Sequence, residues 1–484
     1  MNLVESEWIP VLCNDGTRRT IAPWQMAESD ILRPDWPRAD LNLGCLEFLI
    51  GLVYLADPPS DIEDWDARLE GDPERMREKL TPYAPAFDLL GDGPRFLQDL
   101  ENLEGQPSSP DLLFIDSAGG NTAKNNADLM VHRDRYIRLD LPTAAMALFT
   151  FQAHAPSGGA GNRTSMRGGG PLVTLADPQD GLWQLIWANV PEGTPGRAED
   201  LPWMRPTRVS DKKQETLPPE GRVFSVEAFF GMPRRLRLVE EGGAITGVIQ
   251  KPWGTNYVLW KHPLSPYYRQ KAGQEWLPKH PRAGRFGYRN WIGVTVKAEG
   301  DDITELSLSL RDAKTRGAAE AVLVAGWSMD NMKPRDFLWS EEPLFELTLE
   351  AIHRLIGMIG AAEAAGVALR AALAPVLAEG ESREAEREGF FLDTEPAFLR
   401  HVQALARGED PREAWLADLR DKALGRFGAL AFPGLDRRHT DEIKAIVTAH
   451  GNLQGSFRGY GKLGKDMFNA LEFELPARKK GKAA

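Results

Sequence analysis

The sequence predicts an α+β fold: a large, irregular α/β domain over residues 1–340, followed by a four-helix bundle over residues 341–484. Two compositional regimes carry that reading. Up to about residue 340 the chain is rich in Pro, Gly and Trp, with short β-branched runs separated by long gaps. From about Glu341 it turns rich in Ala and Leu, with apolar residues at helical spacing. A length of 484 residues leaves room for two or three domains, each with its own core.

In chain order, 42–56 (NLGCLEFLIGLVYLA) is apolar nearly all round, the pattern of a buried helix. A second helix is expected at 143–153 (TAAMALFTFQA), with Thr143 placed to cap it. Short strands are expected at 171–175 (PLVTL), 234–239 (RRLRLV) and 291–296 (WIGVTV). Beyond the compositional shift, 344–377 reads as one helix with Gly357, Gly360 and Gly366 as weak points, kinked or ended near Pro375. Segments 395–406, 410–430 and 441–449 supply three more helices, with breaks at 408–411 (GEDP) and Pro433-Gly434. Short connections between four helices define a bundle. The tail 478–482 (RKKGK) is expected to be disordered.

Composition narrows the function. With 42% hydrophobic and 26% charged residues the chain is an ordinary globular protein. No run approaches the ~20 apolar residues of a membrane span. The start, MNLVESEWIP, lacks a basic stretch followed by an apolar core, so no signal peptide is expected. Cys13 and Cys45 are too few for a disulfide framework or a four-thiolate metal site, and the reading is cytoplasmic. A net charge of −12 argues against non-specific coating of nucleic acid. One stretch runs against that balance. Residues 261–290 carry seven Lys/Arg against a single acid, Glu275, interleaved with Tyr267, Tyr268, Trp276, Phe286 and Tyr288. Cations beside flat rings suit a nucleic-acid surface, though a basic loop region that solvates itself has the same composition.

Segment 155–171 (APSGGAGNRTSMRGGGP) holds six glycines and two arginines. Glycine tolerates φ > 0 and lets backbone approach a ligand closely. A Walker loop is excluded, because Gly158 leads only to Arg163-Thr164 and the segment has no lysine. A dinucleotide fingerprint is excluded too, since Gly159-Ala160-Gly161 is not followed by the third glycine. Taken alone, the segment reads as a mobile surface loop. Catalytic patterns are missing elsewhere as well. The eight histidines form no HExxH pair, and there is no GxSxG elbow. His132-Arg133-Asp134 lacks the remainder of a kinase catalytic loop.

Four features together resemble one family. They are the opening MNLVESEWIPVLCNDG; the glycine segment itself; Lys251-Pro252-Trp253-Gly254 followed by 259–266 (LWKHPLSP); and 326–333 (GWSMDNMK). In this order and spacing they resemble the CasA family, the large subunits of type I-E CRISPR Cascade surveillance complexes, over essentially the whole chain. The resemblance implies a non-catalytic recognition subunit with no cofactor. Its partners would be other Cascade subunits, the crRNA, target double-stranded DNA and a helicase–nuclease effector, without a membrane. Guide pairing would read the target, while this subunit reads the short protospacer-adjacent motif (PAM) in duplex DNA and helps open the strands.

By the same resemblance, Gly158, Gly159 and Gly161 would approach base edges in the narrow minor groove. Arg163 and Arg167 would hold flanking phosphates or, equally, support the loop through salt bridges. Lys251 matches the family's lysine finger. Asp330 and Asn331 match a wedge entering the duplex beyond the PAM, or else form a polar turn or cap. Segment 124–138 (KNNADLMVHRDRYIR) matches a loop facing the crRNA and a backbone subunit, with Lys124, His132, Arg133, Arg135 and Arg138 supplying charge; some relatives have an aromatic at Leu129-Met130. Where certain relatives carry a zinc knuckle, 239–246 (VEEGGAIT) has no thiol, so no metal is expected. Two rival classes stand beside this reading: a stand-alone nucleic-acid-processing enzyme with dispersed catalytic residues, and a purely structural assembly factor.

Overall fold

A computed structural model describes residues 1–117, 124–126, 132–159, 161–377 and 380–476. The tail expected to be disordered and Leu129-Met130 lie outside them. The chain forms two compact units: Met1–Arg285 with Asp302–Leu344, and Phe286–Asp301 with Phe345–Ala484.

The first unit opens with strands β1 (Ile9–Cys13), β2 (Arg18–Ile21) and β3 (Ile31–Pro34), paired antiparallel in the order β2-β1-β3. Helices α1 (Ala39–Ala56), α2 (Ile62–Asp66), α3 (Pro73–Leu80) and α4 (Leu141–His154) follow. Then come β4 (Val173–Asp177), α5 (Leu182–Ala188), and the hairpin of β5 (Arg235–Glu241) and β6 (Ala244–Lys251). Short strands β7 (Tyr267–Tyr268), β8 (Leu277–Pro278) and β9 (Thr304–Glu305) form a small sheet. Helix α6 (Leu308–Arg316) leads into the long hairpin of β10 (Ala321–Asp330) and β11 (Lys333–Pro343). Strand β10 pairs with β11 on one side and β4 on the other, both antiparallel.

Helix α1 is apolar all round because it is the axis of this unit's core. The ring of Phe48 meets those of Trp8, Phe96, Phe149 and Phe230 edge to face, with centroids 5.5–6.3 Å apart. Such pairs contribute about 0.5–1.5 kcal/mol each beyond their burial. Helix α4 begins two residues before the expected position. Its cap is Asp140, which accepts from the Thr143 N–H at 2.7 Å, so Thr143 is capped rather than capping.

The second unit contains α7 (Leu349–Ala372), α8 (Glu381–Ala406), α9 (Arg412–Ala431), α10 (Thr440–Ser456) and α11 (Gly461–Ala470). That is five helices among the described residues of this unit where the sequence predicts four; α11 is the addition. Helix α7 packs against each of the other four, and it stops at Ala372, before Pro375. Gly357 is no weak point. A Cβ there would lie 2.2 Å from the Ala470 carbonyl oxygen, so its bareness lets α11 come close.

Segment 291–296, expected as a strand, is a turn instead, with only an isolated bridge between Ile292 and Val296. Its apolar residues are satisfied by packing within the second unit. Trp291 meets Phe398 at 5.4 Å, and Tyr288 stacks on Phe398 at 4.1 Å while its hydroxyl lies 2.8 Å from Thr394 Oγ1. Helices α1 and α7 are each long and apolar enough by length and composition to cross a membrane, although charged residues such as Glu47 and Glu363 interrupt both. Their apolar stretches are 89% and 61% buried within the protein.

Candidate nucleic-acid interface

The glycine segment leaves α4 and returns to β4, and its base is clamped. The Ser165 N–H donates to the Ala155 carbonyl at 2.9 Å and the Gly170 N–H to the His154 carbonyl at 3.0 Å. Below them lies a buried ionic cluster. Arg167 Nη1 donates to Glu47 Oε1 at 2.6 Å, and His154 Nε2 lies 2.6 Å from Glu47 Oε2. Burial alone would raise the Glu47 carboxyl, yet Arg167 and His154 hold it well below the usual carboxylate range. Arg167 is 2% exposed and therefore serves as the loop's support, not as a phosphate ligand. The segment is thus fixed at its root rather than a free surface loop.

At its tip, the Gly158 N–H donates to the Asn162 carbonyl at 3.3 Å and the Asn162 N–H to the Gly159 carbonyl at 2.8 Å. The glycines are bare for different reasons. Gly159, at φ +66°, faces open space: a Cβ there meets nothing within 4 Å. Gly161, at φ +81°, lies under the indole of Trp253, where a Cβ would come within 2.6 Å of the ring. A Cβ on Gly158 would crowd Asn162 at 2.9 Å and Arg234 at 3.1 Å. Arg163 donates from Nε to Ser210 Oγ at 2.9 Å and from Nη2 to the Ser210 carbonyl at 3.1 Å, with its guanidinium 5.4 Å from the Trp253 ring.

Lys251 ends β6, opposite Arg235. Two contacts tie the turn around it to the glycine tip. The Trp253 N–H donates to the Gly161 carbonyl at 2.9 Å, and Gln250 Nε2 donates to Asn162 Oδ1 at 3.1 Å. Among the described residues no carboxylate pairs with Lys251, so its ammonium remains available. Trp253 holds φ +65° and is 38% exposed. In the sequence it is only a neighbour of the lysine, with no role of its own; in the structure it is the lid over Gly161 that joins the two turns.

The β10–β11 hairpin closes through Asn331 (φ +50°) and Met332 (φ +61°). Two consecutive positive-φ residues define the tight turn that suits the twist of a hairpin. Asp330 accepts from Asn331 Nδ2 at 3.0 Å and from Arg335 Nη2 at 2.7 Å, all three exposed at the tip or close to it. This hairpin rests on the base of the glycine segment. Cβ atoms on Gly169 and Gly170 would lie 3.1 Å from Met332 Sδ and 2.3 Å from the Trp327 carbonyl oxygen. The Lys251 turn and the Asp330-Asn331 hairpin are therefore each braced against the glycine segment that carries Gly159.

The described residues of 124–138 lie elsewhere. Arg138 Nη2 donates to the Glu241 carbonyl at 3.2 Å, and Leu139 bridges to Ile245, at the opposite end of the β5–β6 hairpin from Lys251. About seven strand residues separate those ends, roughly 23 Å at ~3.3 Å per residue. Arg135 is committed internally: its guanidinium bonds Asp116 at 2.8 and 2.9 Å, sits 3.4 Å from Asp111, and lies over Tyr136. Arg38 shares Asp116. Arg133 bonds the Asn126 amide oxygen at 2.9 Å, His132 is exposed with Nδ1 2.6 Å from the Arg133 carbonyl oxygen, and Lys124 is exposed.

The basic, aromatic stretch 261–290 is no stacking platform. Tyr267, Phe286 and Tyr288 are buried, and the stretch divides between the two units after Arg285. Lys261 and Arg269 flank Trp276 at 4.7 and 4.6 Å and pair with Glu305 and Asp302.

A mixed α/β unit together with a largely helical one is the fold shared with a class of CRISPR-associated proteins. The family model for CRISPR-associated protein Cse1 matches residues 2–425. The chain belongs to this family, Cse1 or CasA. Its fold is similar to that of CasA from Thermus thermophilus (TM-score 0.71, 20% identity, 94% of this chain and 99% of that one). It is likewise similar to Cse1 from Acidimicrobium ferrooxidans (TM-score 0.69, 18% identity, 98% of each chain). A chain from a structure titled CRISPR RNA-guided surveillance complex matches with TM-score 0.67 at 16% identity, over 94% of this chain and 99% of that one.

Proposed function

We propose that this protein is the non-catalytic DNA-recognition subunit of a type I-E Cascade complex in the cytoplasm, reading the PAM through the minor groove of target duplex DNA. The observation that carries the reading is the bracing of the Lys251 turn and the Asp330-Asn331 hairpin against the glycine segment that carries Gly159. The minor groove is only ~6 Å wide, and A·T pairs offer acceptors alone there. Bare backbone at Gly159 fits that width, and an unpaired ammonium at Lys251 supplies the donor. One ammonium facing two kinds of acceptor reads permissively, so several PAMs are tolerated. The hairpin tip acts where the first base pair beyond the PAM must open. Opening such a step costs on the order of 1–2 kcal/mol, which guide pairing returns as the seed forms.

Within the same reading, Lys124, His132 and Arg133 face the crRNA and a backbone subunit, at the far end of the β5–β6 hairpin from the PAM. The helices α7–α11 serve as the family's C-terminal bundle, contacting the small subunits and the displaced strand, and the assembled complex recruits a helicase–nuclease. The test is Lys251→Ala in assembled complex, measured across a PAM library at two salt concentrations. Affinity falls by about 1–3 kcal/mol at the preferred PAM, and the gap between good and poor PAMs narrows. Equal losses on every sequence, with a salt slope lowered by about one unit, would make Lys251 a phosphate contact and reject the reading.

A further inference from the structure

Away from the braced turns, the first unit holds a half-open cavity of about 520 Å³ whose walls carry four arginines, Arg197, Arg205, Arg208 and Arg222, against two carboxylates, Asp200 and Glu227. That balance is unusual in a chain of net charge −12. Glu227 is buried and works as an orienting post. It accepts from Arg205 Nη2 at 2.8 Å, from Arg208 Nη2, and from the Tyr257 hydroxyl at 2.7 Å. Burial, and then Glu227, push the Tyr257 hydroxyl well above its ordinary value, so it remains a donor. One carboxylate thus fixes two guanidiniums while neutralising only one of them. Arg197 is matched by Asp200 at 2.9 Å. Arg222 is exposed and has no carboxylate partner among the described residues.

We propose that this cavity is a phosphate-binding site for single-stranded nucleic acid. Two positive charges remain unneutralised, which matches two consecutive phosphodiesters or one phosphate dianion. Planar guanidinium forks suit phosphate oxygens, and forks held by a buried carboxylate lose little freedom on binding. The volume lies within the range of small-ligand sites. The backbone supplies the reason to favour a strand over free phosphate. Arg208 lies two residues before Ser210, and Ser210 receives Arg163 from the glycine tip and donates its N–H to the Trp253 carbonyl at 3.0 Å. The cavity wall at Arg208 is therefore tied through Ser210 to the glycine tip and the Lys251 turn, which puts the cavity within reach of a strand leaving them.

The experiment uses the full chain and a fluorescent oligothymidylate carrying no PAM, so its outcome is independent of the groove reading. Arg222→Glu removes a cation that holds no internal carboxylate. It should weaken oligothymidylate binding by about tenfold or more, as expected for a charge-assisted contact. It should also lower the salt slope by about 0.7, the value for one phosphate of a single strand. Arg208→Gln, with its melting temperature measured alongside, should weaken binding in the same direction. Inorganic phosphate competing with the oligonucleotide would assign recognition to the phosphate group. Stabilisation by inorganic phosphate without oligonucleotide binding would keep the site and overturn the strand as its occupant. If Arg222→Glu binds the oligonucleotide as wild type does, and phosphate leaves the melting temperature unchanged, the site is refuted.

Discussion

Alanine at Gly161 and alanine at Gly159 should fail in opposite ways. Both positions hold positive φ, so each substitution costs about 1–2 kcal/mol in backbone conformation. There the likeness ends. At Gly161 the new Cβ would sit 2.6–2.8 Å from three atoms of the Trp253 ring. Comfortable carbon contacts are ~3.5–4.0 Å, so turn or indole must yield by about 1 Å. Overpacking of this kind costs about 1–3 kcal/mol more. Gly159 has no such neighbour, and its loss of stability stops at the backbone contribution. Denaturant unfolding of the isolated chain should therefore rank Gly161→Ala about 2–5 kcal/mol below wild type and Gly159→Ala about 1–2 kcal/mol below it. Adding Trp253→Ala to Gly161→Ala should show a favourable coupling of about 0.5–3 kcal/mol. Binding of PAM-bearing duplex by the assembled complex reports separately. There Gly159→Ala should abolish PAM-dependent binding in spite of its milder effect on folding. Equal stability losses at the two glycines, with no coupling to Trp253, would refute the distinction between a glycine bare for an indole and a glycine bare for a groove.

Glu47→Gln should lower stability by about 3–5 kcal/mol, because Arg167 would stay buried without its counter-charge. Burial opposes ionisation of Glu47, but Arg167 and His154 depress its carboxyl overall, so the stabilisation is complete above the unfolded value of about 4.3 and is lost as pH falls below it. The melting-temperature gap between wild type and mutant should shrink from about pH 5 to about pH 3; a constant gap would contradict the assignment. Asn331→Gly keeps the positive φ of the hairpin turn but removes the amide, so stability should change by less than ~0.5 kcal/mol. R-loop initiation on fully paired duplex should slow while a pre-opened target is engaged at the wild-type rate, and equal slowing on both would remove the wedge role.

The parts legible in the sequence are those whose signal is local. The core helix α1 and the alanine-rich α7 announce themselves by composition, and the glycine segment announces a demand for bare backbone. What makes that demand is not local. The ring over Gly161 belongs to Trp253, and the carboxylate that buries Arg167 is 120 residues away at Glu47. A sequence offers no means of telling a buried arginine from a solvated one when its partner is so distant. The same blindness affects 261–290, where Tyr267 and Tyr288 resemble a stacking surface but are core, and 291–296, whose apolar residues pack against aromatic rings instead of joining a ladder. Asp140 and Thr143 are both capping residues by type, and the geometry takes the first.

The excursion of Phe286–Asp301 into the helical unit has a consequence in time. A ribosome delivers Tyr288 long before Phe398, the ring it stacks on. At ~5–20 residues per second the interval is roughly 5–20 s. Throughout the first part of it, Tyr288 and Trp291 stand exposed on a nascent chain that has not yet received β10, the strand that must pair with β4. Neither unit is completed by an uninterrupted run of translation, so the two mature in overlapping windows. A ribosome pause between residues 301 and 398 would lengthen the exposure of those rings, and faster elongation would shorten it.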